Sequence, residues 1–135
     1  MKMFRLALMA IVFPIVISIA CCSSATATPT GTVNAWIDAL VDLNPQAIVS
    51  YETEDYAEMT PVDRIEMYGM AFAGIKSSSA TNRELVVESE TETSATVSVS
   101  FTFSATDIDD NTQEEDISAT YTLTKVDGKW LMSFE

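Results

Sequence analysis

Ala95-Thr96-Val97-Ser98-Val99-Ser100-Phe101-Thr102-Phe103-Ser104-Ala105 alternates apolar or small side chains with hydroxyls without an error. A period of two marks a strand with one buried face and one wet, hydroxyl-rich face. Downstream, Ile117, Ala119, Tyr121 and Leu123 alternate with Ser118, Thr120, Thr122 and Thr124 in the same way. Asp127-Gly128 is a two-residue hairpin signal. Pairing about it sets Val126 opposite Lys129, Lys125 opposite Trp130, Leu123 opposite Met132 and Tyr121 opposite Phe134. Apolar residues of the last strand then land on the buried face of their partner. Upstream, Glu84–Thr91 reads as an earlier, less regular strand, with the switch to period two placed at Arg83. The result is a four-stranded antiparallel meander.

Before Arg83 the period is helical. Thr28-Pro29 opens a helix, with Thr as cap and Pro in the first turn. Val33, Trp36, Ile37, Leu40 and Leu43 fall in one stripe, while Ala35, Asp38 and Asp42 point away. Asn44-Pro45 ends that helix, and Gln46–Tyr51 reads as a short second one. Thr60-Pro61-Val62-Asp63 opens a third, with Asp63 where the helix dipole favours negative charge. Its expected buried face is Val62, Ile65, Tyr68, Phe72 and Ile75. Gly69 and Ala73 on that face would allow close approach to a sheet, and the helix should end before Ser77-Ser78-Ser79. Helices first and strands afterwards predict an α+β domain, with N-terminal helices on one face of a curved four-stranded antiparallel sheet.

The first residues have another character. Met1–Arg5 is short and cationic, and Leu6–Ala20 is nearly unbroken apolar chain of 15 residues. A spanning helix needs about 20 apolar residues, so Met1–Ala20 reads as a signal peptide. Ser18-Ile19-Ala20-Cys21 resembles the lipobox of bacterial-type lipoproteins, in which the cysteine thiol receives a diacylglycerol and becomes the first residue. Ser18 departs from the branched aliphatic residue preferred there. Cys21 is therefore the expected lipid attachment point, and an acylated Cys22 would add the second hydrophobic signal that stable anchoring requires. Two other outcomes compete: ordinary cleavage at Ala25-Thr26-Ala27, giving a secreted soluble protein, and an uncleaved leader. The expected organisation is signal peptide over 1–20, lipidated cysteine and polar tether over 21–28, and the α+β domain over 29–135. Ser23–Thr30 is too small and polar to be expected to pack.

Charge and composition exclude several functions. The 135 residues hold 7 basic and 20 acidic side chains. Lys2 and Arg5 lie in the leader, which leaves 5 basic against 20 acidic residues, a charge of −15. Nucleic acid needs a basic stripe to displace counterions, and anionic lipid heads need a basic patch; neither is present. The two cysteines are adjacent, so the domain has no internal disulfide to form. Histidine is absent, which removes the commonest general base near neutral pH and the commonest metal ligand.

Thr28-Pro29 leading into Val33–Leu43, then Asn44-Pro45-Gln46-Ala47, the Ser94–Phe103 strand and the Thr122–Phe134 ending with its Lys-Val-Asp-Gly-Lys-Trp hairpin form a recurrent pattern. It resembles small lipoproteins of unknown function in the nuclear transport factor 2-like superfamily. The resemblance spans Thr28 to Glu135. It implies a cone, a bent sheet wrapped over helices with a pocket between them. Some relatives are enzymes, such as ketosteroid isomerase, limonene epoxide hydrolase and the polyketide cyclases; others are binding or dimerising modules.

The chemistry visible in the sequence is sparse. Isomerase and cyclase relatives use an inward carboxylate or histidine with a hydrogen-bonding acid opposite. Here Glu66, at the border of the third helix's stripe, is the only acid read as facing inward. Tyr68, Phe72, Phe101, Phe103, Tyr121 and Trp130 are the candidates to line a pocket in the cone, with plain core packing the favoured reading for Tyr68 and Tyr121. Asp107, Asp109 and Asn111 have the first, third and fifth spacing of a calcium loop, but Thr112 and Ser118 stand where the loop needs Gly and a bidentate Glu. That stretch therefore reads as a charged hairpin loop. No nucleophile motif, phosphate loop or Cys-x-x-Cys is present. No catalytic residue, metal or cofactor is expected. The expected role is a membrane-anchored extracytoplasmic module that binds a small apolar ligand or an envelope protein. The alternatives are a cone enzyme using an inward acid, or a scaffold that dimerises through the wet sheet face.

Overall fold

A computed structural model describes residues 25–133. Three helices precede the sheet: α1 (Pro29–Val41), α2 (Pro45–Ser50) and α3 (Pro61–Phe72). Each starts in the same way. A side-chain oxygen caps the first turn (Thr28 accepts from Gly31 N–H, Asn44 from Ala47 N–H and Thr60 from Asp63 N–H), and proline occupies the first helical position.

The strands β1 (Ile75–Glu90), β2 (Ser94–Asp107), β3 (Thr112–Val126) and β4 (Lys129–Ser133) form one antiparallel sheet in sequence order. The hairpin register is the predicted one, with Val126 opposite Lys129, Lys125 opposite Trp130 and Leu123 opposite Met132. Asp127 and Gly128 both have positive φ, as a tight hairpin turn of the right twist requires. The expected pairing of Tyr121 with Phe134 lies outside the described residues.

Val33, Trp36 and Ile37 of α1 pack with Ile48 onto Ala95, Val97, Val99, Phe101, Leu123, Trp130 and Met132 to make the core. Polar pins fix α1 on the sheet. The Thr32 hydroxyl donates to the Trp130 carbonyl (2.7 Å), Ser78 to the Val41 carbonyl (2.8 Å), and Arg83 to Asp38 (2.6 Å) and Asn34 (2.9 Å).

Four expectations are corrected. The helix does end before Ser77-Ser78-Ser79, but β1 begins at Ile75 rather than near Arg83, so these serines are already strand. Three register shifts interrupt its alternation and hide its period from the sequence. β3 begins at Thr112, so the charged loop is only the turn between Asp107 and Thr112. Ala25–Ala27 is a packed 3-10 turn with Thr26 buried, not loose tether. A Cβ on Gly31 would collide with the Ala25 carbonyl oxygen, so this glycine is what lets the turn lie on α1. Last, α3 buries its expected stripe only in part. Ile65, Tyr68 and Phe72 are half-buried, but Val62 is 69% exposed, Gly69, Ala73 and the border residue Glu66 are exposed, Ile75 belongs to β1, and Arg64 is the fully buried residue.

Candidate functional site

The centre of the cone is a carboxylate that sequence reasoning missed. Glu52 follows α2, where the chain passes beside β4: Met132 N–H donates to the Tyr51 carbonyl (2.8 Å) and Thr53 N–H to the Met132 carbonyl (2.9 Å). These bonds fix the backbone on both sides of Glu52 and turn its side chain into the interior. Arg64, one turn into α3, meets it there. Both side chains are fully buried, and Arg64 Nη1 donates to Glu52 Oε1 at 2.7 Å. The other oxygen, Oε2, accepts from Trp36 Nε1 (3.0 Å) and from the Tyr68 hydroxyl (2.6 Å). Arg64 Nη2 donates to the carbonyls of Thr53 (2.8 Å) and Glu54 (2.9 Å), and the guanidinium lies 5.8 Å from the Tyr56 ring centroid. Arg64 Nε is buried without a partner among the described residues.

Aromatic rings surround this pair. Trp36 and Tyr121 are 5.4 Å apart between centroids, and Tyr68 stacks on Phe72 at 6.2 Å. Burial, then donation to Glu52 and the charge of Glu52, push the Tyr68 phenol far above its ordinary value. Burial and the Glu52 charge raise Tyr56 to about 12, and burial raises Tyr121. The phenols are thus proton donors held neutral, and Tyr68 has already committed its proton to Glu52.

The turn that presents Tyr56 is strained. Ala57 and Glu58 both have positive φ, at 56° and 57°, a region that costs non-glycine residues about 1–2 kcal/mol each. The attachment of Arg64 to the Thr53 and Glu54 carbonyls holds that segment in place.

Of the residues expected to line a pocket, Phe101 and Trp130 are 4% and 3% exposed and belong to the closed core. Tyr68, Phe72, Phe103 and Tyr121 are half-buried against it, joined by Ile117 and Ala119. Tyr121, Ile117 and Ala119 stand on β3 beyond its pairing with β4, which covers only Thr122–Val126. Glu66, expected to be the inward acid, is exposed; its place is taken by Glu52. Arg64 is the one base between Thr53 and Ile75, but nothing in its spacing marks it as buried, so the sequence carried no signal for the pair. Cys21 and Cys22 lie outside the described residues.

Several grooves mark the described surface. One of about 740 Å³ runs along β4 and reaches the site's own segment, lined by Glu52, Thr53, Glu54, Asp55, Val126 and Leu131. Another, of about 400 Å³, crosses the wet sheet face over Ser98, Ser100, Ser118 and Thr120. In the charged turn, Asp107 accepts from the N–H groups of Asn111 and Asp109 (both 2.9 Å), and the Asn111 bond leads in lowering its carboxyl pKa. This is a self-capped turn. Among the described residues no group of three acids or cysteines is placed to hold a metal.

No family model and no curated protein sequence matches the chain. Solved structures do match. A candidate aromatic ring hydroxylase from Novosphingobium aromaticivorans superposes with a TM-score of 0.69 at 12% identity, over 83% of this chain and 87% of that one. A ketosteroid isomerase-like protein from Erwinia carotovora atroseptica gives 0.65 at 14% identity, over 80% and 90%. A candidate dehydratase of the nuclear transport factor 2-like family from Streptomyces avermitilis gives 0.57 at 12%, over 75% and 86%. At these identities the likeness carries fold and no chemistry. With its helices laid on a four-stranded open sheet, the chain has the nuclear transport factor 2-like α+β cone fold.

Proposed function

We propose that this chain is a lipid-anchored extracytoplasmic module whose cone binds a small apolar ligand without transforming it. The observation that carries the reading is the saturation of Glu52. Its side chain is fully buried and both oxygens are occupied, one by Arg64 and the other by Trp36 and Tyr68. A general base must reach its substrate proton within hydrogen-bond distance, directly or through one water. Glu52 would have to break a buried ion pair to do so, at a cost of several kcal/mol. The half-buried ring set of Tyr68, Phe72, Phe103 and Tyr121 supplies apolar contact area instead. Because the Tyr68 proton goes to Glu52, its oxygen is left as an acceptor, which favours a ligand bearing one hydroxyl or amine donor.

The anchoring half of the proposal rests on Cys21. Ordinary cleavage after Ala27 would remove the packed 3-10 turn that Gly31 accommodates, whereas cleavage before Cys21 keeps it. Intact mass of the protein from its native membrane fraction tests this. A chain beginning at acylated Cys21 supports the anchor; an unmodified chain beginning near Thr28 overturns it.

The competing reading, a cone enzyme using an inward acid, is favoured by one observation: Tyr68 and Glu52 form an acid–phenol pair 2.6 Å apart. Both readings meet in one experiment, in which the full chain is mixed with a β,γ-unsaturated ketosteroid, with Nile red as an uncharged binding probe. Steroid that displaces Nile red and is recovered unchanged supports the binding module. Conjugated product that disappears in Glu52→Gln establishes the enzyme instead.

A further inference from the structure

The outward face of α3 is apolar, acidic and uncovered. Val62 is 69% exposed and Met70 77%, two turns apart on one row, with Glu66 between them; Asp63 and Met67, 39% exposed, form the neighbouring row. Those rows point away from Arg64 and Tyr68, by which the helix is held to the cone. The N–H of Ile108 donates to the Gly74 carbonyl (3.0 Å), which brings the 72% exposed Ile108 side chain to the C-terminal end of the same helix.

The outer rows themselves carry two acids, Asp63 and Glu66, and no base; Glu58 precedes the helix, and Lys76, beyond its end, is paired with Asp110. The one base within the helix is Arg64. Arg64 is fully buried and spent on Glu52, so it contributes nothing to the surface. Exposed methionine is adaptable and polarisable, and suits surfaces that accept apolar side chains of varied shape. Acids among such residues attract a cationic partner and repel an anionic one.

We infer that the outer face of α3 is a docking surface for a basic amphipathic helix of a protein partner. The apolar side of that helix would lie over Val62, Met67 and Met70, and its Lys or Arg residues would reach Asp63, Glu66 and Glu58. Charge excludes the other two occupants. An anionic bilayer would meet Asp63 and Glu66 among the apolar side chains, and a second copy would set one acidic face against another. This surface is separate from the cone interior, and its test does not depend on whether the cone binds or transforms a ligand.

The probe is a short Leu/Lys peptide that forms an amphipathic helix, titrated into the full chain beside a peptide of the same composition in scrambled order. The expected result is binding of the amphipathic peptide about tenfold or more tighter than the scrambled one, with that advantage lost in Val62→Gln/Met70→Gln. Both residues are exposed, so the circular dichroism and Tm of the variant should match the parent. Equal binding of the two peptides would reduce the effect to bulk charge and overturn the inference. So would an unchanged affinity in the variant. Self-association, or binding to phosphatidylglycerol vesicles, that is lost in the variant would also overturn it, by naming a different occupant.

Discussion

α1 and α3 start identically and end up held by opposite means. Each has a threonine cap, a proline at its first position and an apolar stripe. α1 buries that stripe, with Val33 and Ile37 at 0% exposure, and is tied to the sheet by apolar area. α3 buries one residue, Arg64, and leaves Val62, Met67 and Met70 outside. α1 is held chiefly by the hydrophobic effect, which is non-directional and proportional to area, with Thr32, Ser78 and Arg83 as polar pins. α3 adds to the half-buried rings of Tyr68 and Phe72 a buried charge pair and its hydrogen bonds, which are directional and depend on every partner being present. A helix fixed by a few directional contacts has its outer face free for other uses.

The difference can be broken most severely at Arg64. Arg64→Ala leaves Glu52 buried without its partner, and the expected loss is about 3–5 kcal/mol, read as the urea midpoint. Adding Glu52→Gln to Arg64→Met should recover much of that loss, since no unpaired charge remains while the amide oxygen still accepts from Trp36 and Tyr68. A double variant no more stable than Arg64→Ala would mean that the pair, rather than charge compensation, holds α3. On the other helix, Ile37→Ala opens a cavity at a fully buried site and should cost about 3 kcal/mol.

Alkaline titration sharpens the same contrast. Tyr56, Tyr68 and Tyr121 have folded pKa values raised above the unfolded value of 10.0, Tyr56 to about 12. The unfolded chain therefore releases these protons first. The contribution of Tyr56 is complete below pH 10 and is lost as pH rises from 10 through about 12; those of Tyr68 and Tyr121 are also complete below pH 10 and are lost as pH rises through their own raised folded values. Tm should be level below pH 10 and fall above it, with tyrosinate absorbance appearing late. Ordinary ionisation near pH 10 with no fall in Tm would contradict the packing around Glu52.

The smallest effect concerns what the helices share. Thr28→Ala and Thr60→Ala each remove one cap bond and should cost about 1 kcal/mol. Similar values would show that the caps act alike on differently held helices. A much larger loss at Thr60 would show that the cap of α3 also positions Arg64.

Much of the architecture was legible in the chain. The error-free alternation of Ala95–Ala105 and the Asp127-Gly128 turn are local signals; the first is strand as read, and the hairpin register the turn implied is the observed one from Leu123 to Val126. β1 was legible only in its second half, because bulges at Ile75/Ser77, Thr81/Glu84 and Val87/Ser89 shift its inward face and break the period. The site was illegible for a different reason. Glu52 lies in no periodic segment, and Glu66 has the better helical position but points to solvent.

By itself, then, the sequence determined helix starts, strand faces, the final hairpin and the acidic surplus, because each depends on neighbours within a few residues. Only the tertiary structure decided which acid faces inward, which face of α3 is covered and which aromatic rings close the core. Glu52, Arg64, Trp36 and Tyr68 are brought together from α1, α3 and the segment beside β4. Nothing in the local chemistry of any one of them names the other three. A buried charge is tolerable only where distant chain supplies its counter-charge and hydrogen bonds, and that condition is met by the fold as a whole.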